Sequence, residues 1–189
     1  MSLKEIFENK YEREKNPNPH HKSRPSPPDG IIIHSMGQRI KGYGYASDFL
    51  KEIELSAHYL VETDGKTIEL VHPDKQAYHA GESQFKDQIF LNSTFIGIEV
   101  LVEGEHTYPT FLEEIKKEDT FYFKQIDSCA TLCALLCDQY DISIDRILRH
   151  SDVSGPDVRD DPKFDPGDGF KWDSFKELTG LLLGQLEES

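Results

Sequence analysis

Two short runs constrain this chain more than anything else in it: Ile31-Ile32-Ile33-His34, and Phe95-Ile96-Gly97-Ile98-Glu99-Val100-Leu101-Val102. Both are apolar and rich in β-branched residues, and neither alternates cleanly with polar ones. A strand of that kind is covered on both faces, which places it in the middle of a sheet with helices on either side. The remaining sequence supplies those layers. From Thr120, apolar residues recur at intervals of three and four (Phe123, Ile126, Ala130, Cys133, Leu136, Cys137, Tyr140) and predict a long helix ending at Asp141. Residues 172–186 predict a C-terminal helix, and residues 46–55 a short amphipathic one with Ser47 as N-cap. Asp64-Gly65 between Ala57–Glu62 and Thr67–Val71 marks a hairpin. A short strand at residues 146–148 delivers His150, and no internal repeat interrupts the pattern. The expectation is an α/β fold, a single domain over residues 29–189 with a central sheet flanked by helices. An N-terminal arm over residues 1–28 precedes it. Residues 3–15 of the arm read as a short helix, and the proline-rich stretch after them as a segment outside regular structure, with His20 and His21 solvated. Residues 103–119 read as an exposed loop carrying His106.

Charge excludes some functions. A net charge of −14 argues against partners that are themselves anionic, so neither nucleic acid nor an anionic membrane is expected. No run of 18 apolar residues is present, so no membrane span is expected. The charged N-terminus shows no secretory h-region. Cys129, Cys133 and Cys137 lie on one face of the predicted long helix and read as buried, reduced thiols, which favours the cytoplasm.

Chemistry concentrates in the loop from His150 to Trp172. Pro156, Pro162 and Pro166 exclude a helix interior or a central strand there, while Phe164, Phe170 and Trp172 offer anchors for an ordered loop. His34, at the end of an apolar strand, is a candidate ligand, although a lone histidine in that position is more often a core residue bonded to backbone. Glu99 calls for a partner, because a lone carboxylate between Ile98 and Val100 is costly to bury. His58 lies on the polar side of the first hairpin strand and is expected to line a cleft. Ala80-Gly81, beside His79, is a point where backbone approaches a ligand closely. A catalytic zinc takes three nitrogen, oxygen or sulfur ligands and keeps one position open. The loop and the strand of His34 together offer such a set.

At this point the sequence resembles the zinc-dependent N-acetylmuramoyl-L-alanine amidases, the group that includes muropeptide-recycling enzymes, phage amidase lysozymes and peptidoglycan recognition proteins. The matching pieces come in family order: IIIH, SAHYLVETDGKTIELV, AYHAGES, NSTFIGIEV, RILRHSDV and KFDPGDGFKW, covering roughly residues 29–175. The resemblance implies a mixed central sheet with helices on its faces. It implies zinc bound by His34, His150 and Asp165, Glu99 as general base, and Lys163 stabilising the oxyanion. It further implies that His79 and Asn92 line the substrate, that the partners are peptidoglycan fragments or muropeptides, and that the bond cut joins the lactyl group of N-acetylmuramic acid to L-alanine. A monomer is assumed. The sequence departs from the family in the SGPDVRDD stretch, residues 154–161, where Asp157, Asp160 and Asp161 compete with Asp165 for the metal. It departs again at Ala57, where some members carry a catalytic tyrosine; with Glu99 present, this places the chain nearer the bacterial recycling type. Two rival readings are a module that binds peptidoglycan fragments without cutting them, and a zinc amidase acting on another acyl peptide.

Overall fold

The computed structural model describes Glu5, residues 11–15 and residues 17–188. Its spine is the pair of strands the sequence marks. Gly30–Ile40 forms β3 and Phe95–His106 forms β10, and the two run parallel and in register from Phe95 opposite Gly30 to Val102 opposite Gly37. Around this pair the sheet takes the order β1-β6-β5-β10-β3-β11. Here β1 is Tyr11–Arg13, β5 Tyr59–Val61, β6 Thr67–Glu69 and β11 Ile147–Arg149. A short β4 (Gly44–Tyr45) pairs antiparallel with the far end of β3, as β5 and β6 do with each other. The sheet is therefore mixed, with its four inner strands parallel.

Period-two alternation sorts the side chains of β3 and β10 onto two faces. Ile31, Ile33, Ile98 and Val100 face the two long helices, α3 (Phe123–Tyr140) and α5 (Trp172–Glu187), in the larger core. All three cysteines are buried there as free thiols. Asp141 in a left-handed conformation ends α3 as expected. On the opposite face Met36, Leu60 and Leu101 meet α1 (Ala46–Glu52), while Ile32 and Phe95 meet Ala80 and Leu91. In the hairpin turn Gly65 has φ of +84°, a region where only glycine is at ease, and donates to the Glu62 carbonyl at 2.9 Å.

Several expectations change. The first central strand is eleven residues long, so His34 sits within it rather than at its end. Ser47 is a buried helix residue and Tyr45 holds the N-cap position. Tyr11–Arg13 is strand, not helix, because its backbone completes the sheet edge beside β6; the remainder of the predicted helix over residues 3–15 falls mostly outside the described residues. His21–Ser23 also pairs, as β2, with β7 (Lys75–Ala77). Beyond β2, the Arg24 guanidinium donates to the carbonyls of Pro73, Lys75, Ser93 and Phe95, which ties the proline-rich stretch to the body. A further two-stranded hairpin joins β8 (Gln84–Phe85) to β9 (Gln88–Ile89). The expected loop over residues 103–119 instead continues β10 to a buried His106 and then forms α2 (Tyr108–Glu114), with Phe111 and Ile115 buried. A reciprocal capping box between Thr107 and Thr110, with Pro109 in the first turn, nucleates it.

Candidate metal centre

The parallel register of β3, β10 and β11 gathers the site. Glu99 lies directly opposite His34, and β11 pairs with Ile31–Ile33, so the chain leaves β11 beside His34. His150 opens the single turn α4 (His150–Val153) at that point. The following loop returns: Lys163 N–H donates to the Ser154 carbonyl at 2.9 Å, and Ser151 N–H to the Asp165 carbonyl at 3.0 Å. Asp165 is thereby set under the two imidazoles.

One donor atom from each of His34, His150 and Asp165 lies within 4.8 Å of the other two. His150 Nδ1 is 3.0 and 3.1 Å from the Asp165 carboxylate oxygens, and His34 Nδ1 is 3.4 Å from Oδ2. The outer nitrogens decide which tautomers these rings adopt. His150 Nε2 faces the Ala80 carbonyl at 3.4 Å. His79 Nε2 faces the Phe95 carbonyl at 3.2 Å, which leaves its Nδ1 to accept from His34 Nε2 at 3.0 Å. Carbonyls only accept, so the protons sit on the outer nitrogens, and both Nδ1 lone pairs point at a carboxylate. Three acceptors converging with no proton between them repel one another; a cation at their centre reverses the sign. The residues present therefore fit a metal ion, with outer hydrogen bonds of the kind that orient histidine ligands.

Electrostatics agree. Burial, and then the charge His150 would carry, lower the His34 pKa from 6.5 to about 4, so the ring is neutral near pH 7. Burial alone would raise the Asp165 carboxyl, but His150 and His34 facing it hold it well below the usual carboxylate range. Glu99 is the contrary case. It is 8% exposed, its Oε2 has no hydrogen-bond partner, and burial followed by the charge of Asp165 pushes its pKa well above the ordinary value.

Glu99, Lys163, His79 and the three candidate ligands line one cleft of about 280 Å³. The Lys163 ammonium, 26% exposed, donates to Asp161 at 2.9 Å, and Asp161 also accepts from Arg159 Nε at 2.7 Å. The SGPDVRDD stretch thus anchors Lys163. Asp157, Asp160 and Asp161 are exposed and lie outside the ligand group.

Two candidates sit elsewhere than expected. His58 is 0% exposed: Gly97 N–H donates to its Nδ1 at 2.9 Å, and its Nε2 donates to the Lys75 carbonyl at 3.0 Å. Its ring joins β5, β10 and β7 in the interior and does not face the cleft. The sheet is covered on both sides here, so a polar strand position is no sign of exposure. Asn92 also stands off from the cleft lining; its Oδ1 accepts from His79 N–H at 3.0 Å and Ala80 N–H at 2.8 Å, fixing the loop that supports both histidine ligands. Sequence reasoning missed the apolar walls from Phe49, Ile53 and Leu55 on one side and Tyr108, Phe111 and Leu112 on the other. The Thr-Tyr-Pro-Thr start of α2 was the available signal.

A family model described as N-acetylmuramoyl-L-alanine amidase matches residues 24–168. The chain is 30% identical over 177 residues to the 1,6-anhydro-N-acetylmuramyl-L-alanine amidase AmpD of Haemophilus influenzae, covering 83% of this chain and 86% of that protein. With the Escherichia coli K12 protein of the same name, identity is 28% over 182 residues, covering 86% and 90%. Among solved structures, a selenomethionine derivative of AmpD matches with a TM-score of 0.67 at 24% identity, covering 89% of this chain and 94% of that one. The complex of E. coli AmiD with anhydro-N-acetylmuramic acid-L-Ala-D-γ-Glu-L-Lys matches with a TM-score of 0.60 at 22% identity, covering 88% and 60%. These structures share the fold described above.

Proposed function

The chain belongs to the N-acetylmuramoyl-L-alanine amidase family and is an amide hydrolase, and from that premise we propose that His34, His150 and Asp165 hold a zinc ion in its active site. The convergence of two Nδ1 lone pairs and a carboxylate, with Glu99 unpartnered beside them, carries this reading. Two imidazoles and one carboxylate are a donor set that suits zinc with one position open. Zinc so held supplies a Lewis acid for the scissile carbonyl and makes water nucleophilic near neutral pH.

The protein's own groups do the rest. Glu99 Oε2 takes the proton from the attacking water, and its raised pKa makes it a base matched to neutral pH. The same oxygen returns that proton to the leaving amine nitrogen of L-alanine. Lys163 Nζ, at the cleft wall, neutralises charge that develops on the former carbonyl oxygen. His79 keeps His34 in the ligating tautomer. The substrate is the lactyl-L-alanine amide of soluble muropeptides, supported by likeness to 1,6-anhydro amidases, and this goes with a cytoplasmic recycling role. Among the described residues no helix is long and apolar enough to cross a membrane.

Metal analysis of single variants tests the ligand set. His34→Ala, His150→Ala and Asp165→Ala should each lose zinc and the hydrolysis of anhydro-muropeptide together, whereas Asp160→Ala should keep both. Zinc retained by Asp165→Ala and lost by Asp160→Ala would reassign the third ligand.

A further inference from the structure

The walls of the cleft narrow the substrate further than the reaction does. Next to the metal centre a second groove of about 400 Å³ runs between α2 and the loop before Asp165, and it shares Leu112 and Phe164 with the first. Phe164, 54% exposed, and Tyr108, 58% exposed, stand at the rim with Ile53 and Leu55. Apolar side chains of that size left open to water mark a surface made to be covered. Charge is unevenly placed along it. The cations lining the two grooves are Lys163 and Lys116, and each already holds a carboxylate: Asp161 at 2.9 Å and Glu113 at 3.0 Å. The carboxylates of Glu99, Asp165 and Asp168 line the same path, and the whole chain carries a net charge of −14.

A muramyl stem peptide brings its own charge close to the reacting amide. Its second residue is γ-linked D-glutamate in the ligand held by E. coli AmiD, and γ-linkage leaves that residue's α-carboxyl free, one residue from the scissile bond. Drawn into an apolar groove among acidic groups, such a carboxylate loses its water and finds no unpaired cation along the walls. A carboxamide in the same place carries no charge and loses less. We infer that this cleft selects muramyl peptides whose stem carboxylate nearest the scissile amide is masked as an amide, D-isoglutamine in place of D-isoglutamate. The inference rests on the amidase reading above and adds a substrate class to it.

Two probes that differ in that single group decide the matter: N-acetylmuramoyl-L-alanyl-D-isoglutamine and N-acetylmuramoyl-L-alanyl-D-isoglutamate, assayed with the zinc-loaded enzyme at low and high salt. The amidated probe should show kcat/KM higher by about tenfold or more, mainly through KM, with the ratio shrinking as salt screens the acidic surface. Tyr108→Arg, which adds a cation at the exposed rim, should narrow the ratio by improving the carboxylate probe alone. Equal or better hydrolysis of the carboxylate probe by the parent overturns the selectivity and leaves the amidase reading standing. Hydrolysis of neither probe brings down the amidase reading and the selectivity with it.

Discussion

Glu99→Gln should slow the enzyme and stabilise the protein at once. The substitution keeps the shape of the side chain and removes its charge, and Oε2 has no hydrogen bond to lose. Losing a positioned general base costs about 10²- to 10⁴-fold in rate, or about 3 to 5 kcal/mol of barrier at 1.36 kcal/mol per tenfold. Stability moves the other way. A buried acceptor without a partner costs about 1–3 kcal/mol, which for a domain of this size corresponds to roughly 2 to 12 °C in Tm. The pH dependence gives the sign a second check. Burial raises the Glu99 pKa above its ordinary 4.5, so in the folded state the carboxylate is the disfavoured form. Below about pH 4.5 the side chain is protonated whether the chain is folded or not, and parent and variant should melt together. As pH rises above 4.5 the unfolded chain releases the proton more readily than the folded one, so the parent loses stability that the variant keeps. Thermal melts of chelator-treated parent and variant between pH 4 and pH 8 measure the gap, and turnover of anhydro-muropeptide by the zinc-loaded forms measures the rate. Zinc should narrow the gap, because a nearby cation relieves the buried carboxylate. Turnover within threefold of the parent, or a variant that melts lower at pH 8, would refute the assignment of Glu99 as an unpartnered base.

Two further predictions concern the supports of the site. A Cβ at Gly97 would come within 2.4 Å of His79 Cγ, so Gly97→Ala should displace the ring that orients His34; zinc titration should show affinity weakened by about 10- to 100-fold with the fold retained in circular dichroism. His58 carries an acid-labile part of the stability. Burial and the Arg24 charge lower its pKa from 6.5 to about 3, so the unfolded chain takes up a proton below pH 6.5 that the folded one refuses. Its neutral, hydrogen-bonded ring thus contributes fully above pH 6.5 and loses ground as pH falls toward 3, by on the order of a few kcal/mol. Denaturant midpoints at pH 7 and pH 5 should differ more for the metal-free parent than for His58→Gln; equal differences would exclude this ring as the source.

Much of the framework was legible because it rests on local chemistry. The β-branched runs at Ile31–Ile33 and Phe95–Val102 have few ways to satisfy themselves other than as inner strands, and Asp64-Gly65 closes its hairpin with little help from elsewhere. The extension of β3 through Ser35 to Ile40 was not legible, since Met36, Gly37, Gln38 and Arg39 have modest strand preference and are held by pairing with β10 and β4. Helix α2 is seven residues long, too short for a helical period to declare itself. At the site, types of residue were readable and directions were not. Nothing in the sequence around His58 distinguishes a ring bonded to three strands from one facing a cleft. The same holds for Asp161, whose role depends on where Arg159 and Lys163 reach in space.

The ligands come from widely separated parts of the chain: His34 lies 116 residues before His150 and 131 before Asp165. An unfolded polypeptide closes loops of that length only at an entropic cost that grows with their size, so it offers the ion no ready-made partial cage. Zinc therefore binds the native state almost alone, and its affinity adds to folding nearly in full, by about 4 kcal/mol when free zinc stands a thousandfold above its Kd. The central strand is under the same constraint, because β3 receives β11 only after residues 147–149 have been drawn back to Ile31–Ile33. Pairings so distant give the chain a high contact order and a slow search. Metal availability during that search then sets how much of the newly made protein reaches its native state and survives proteolysis.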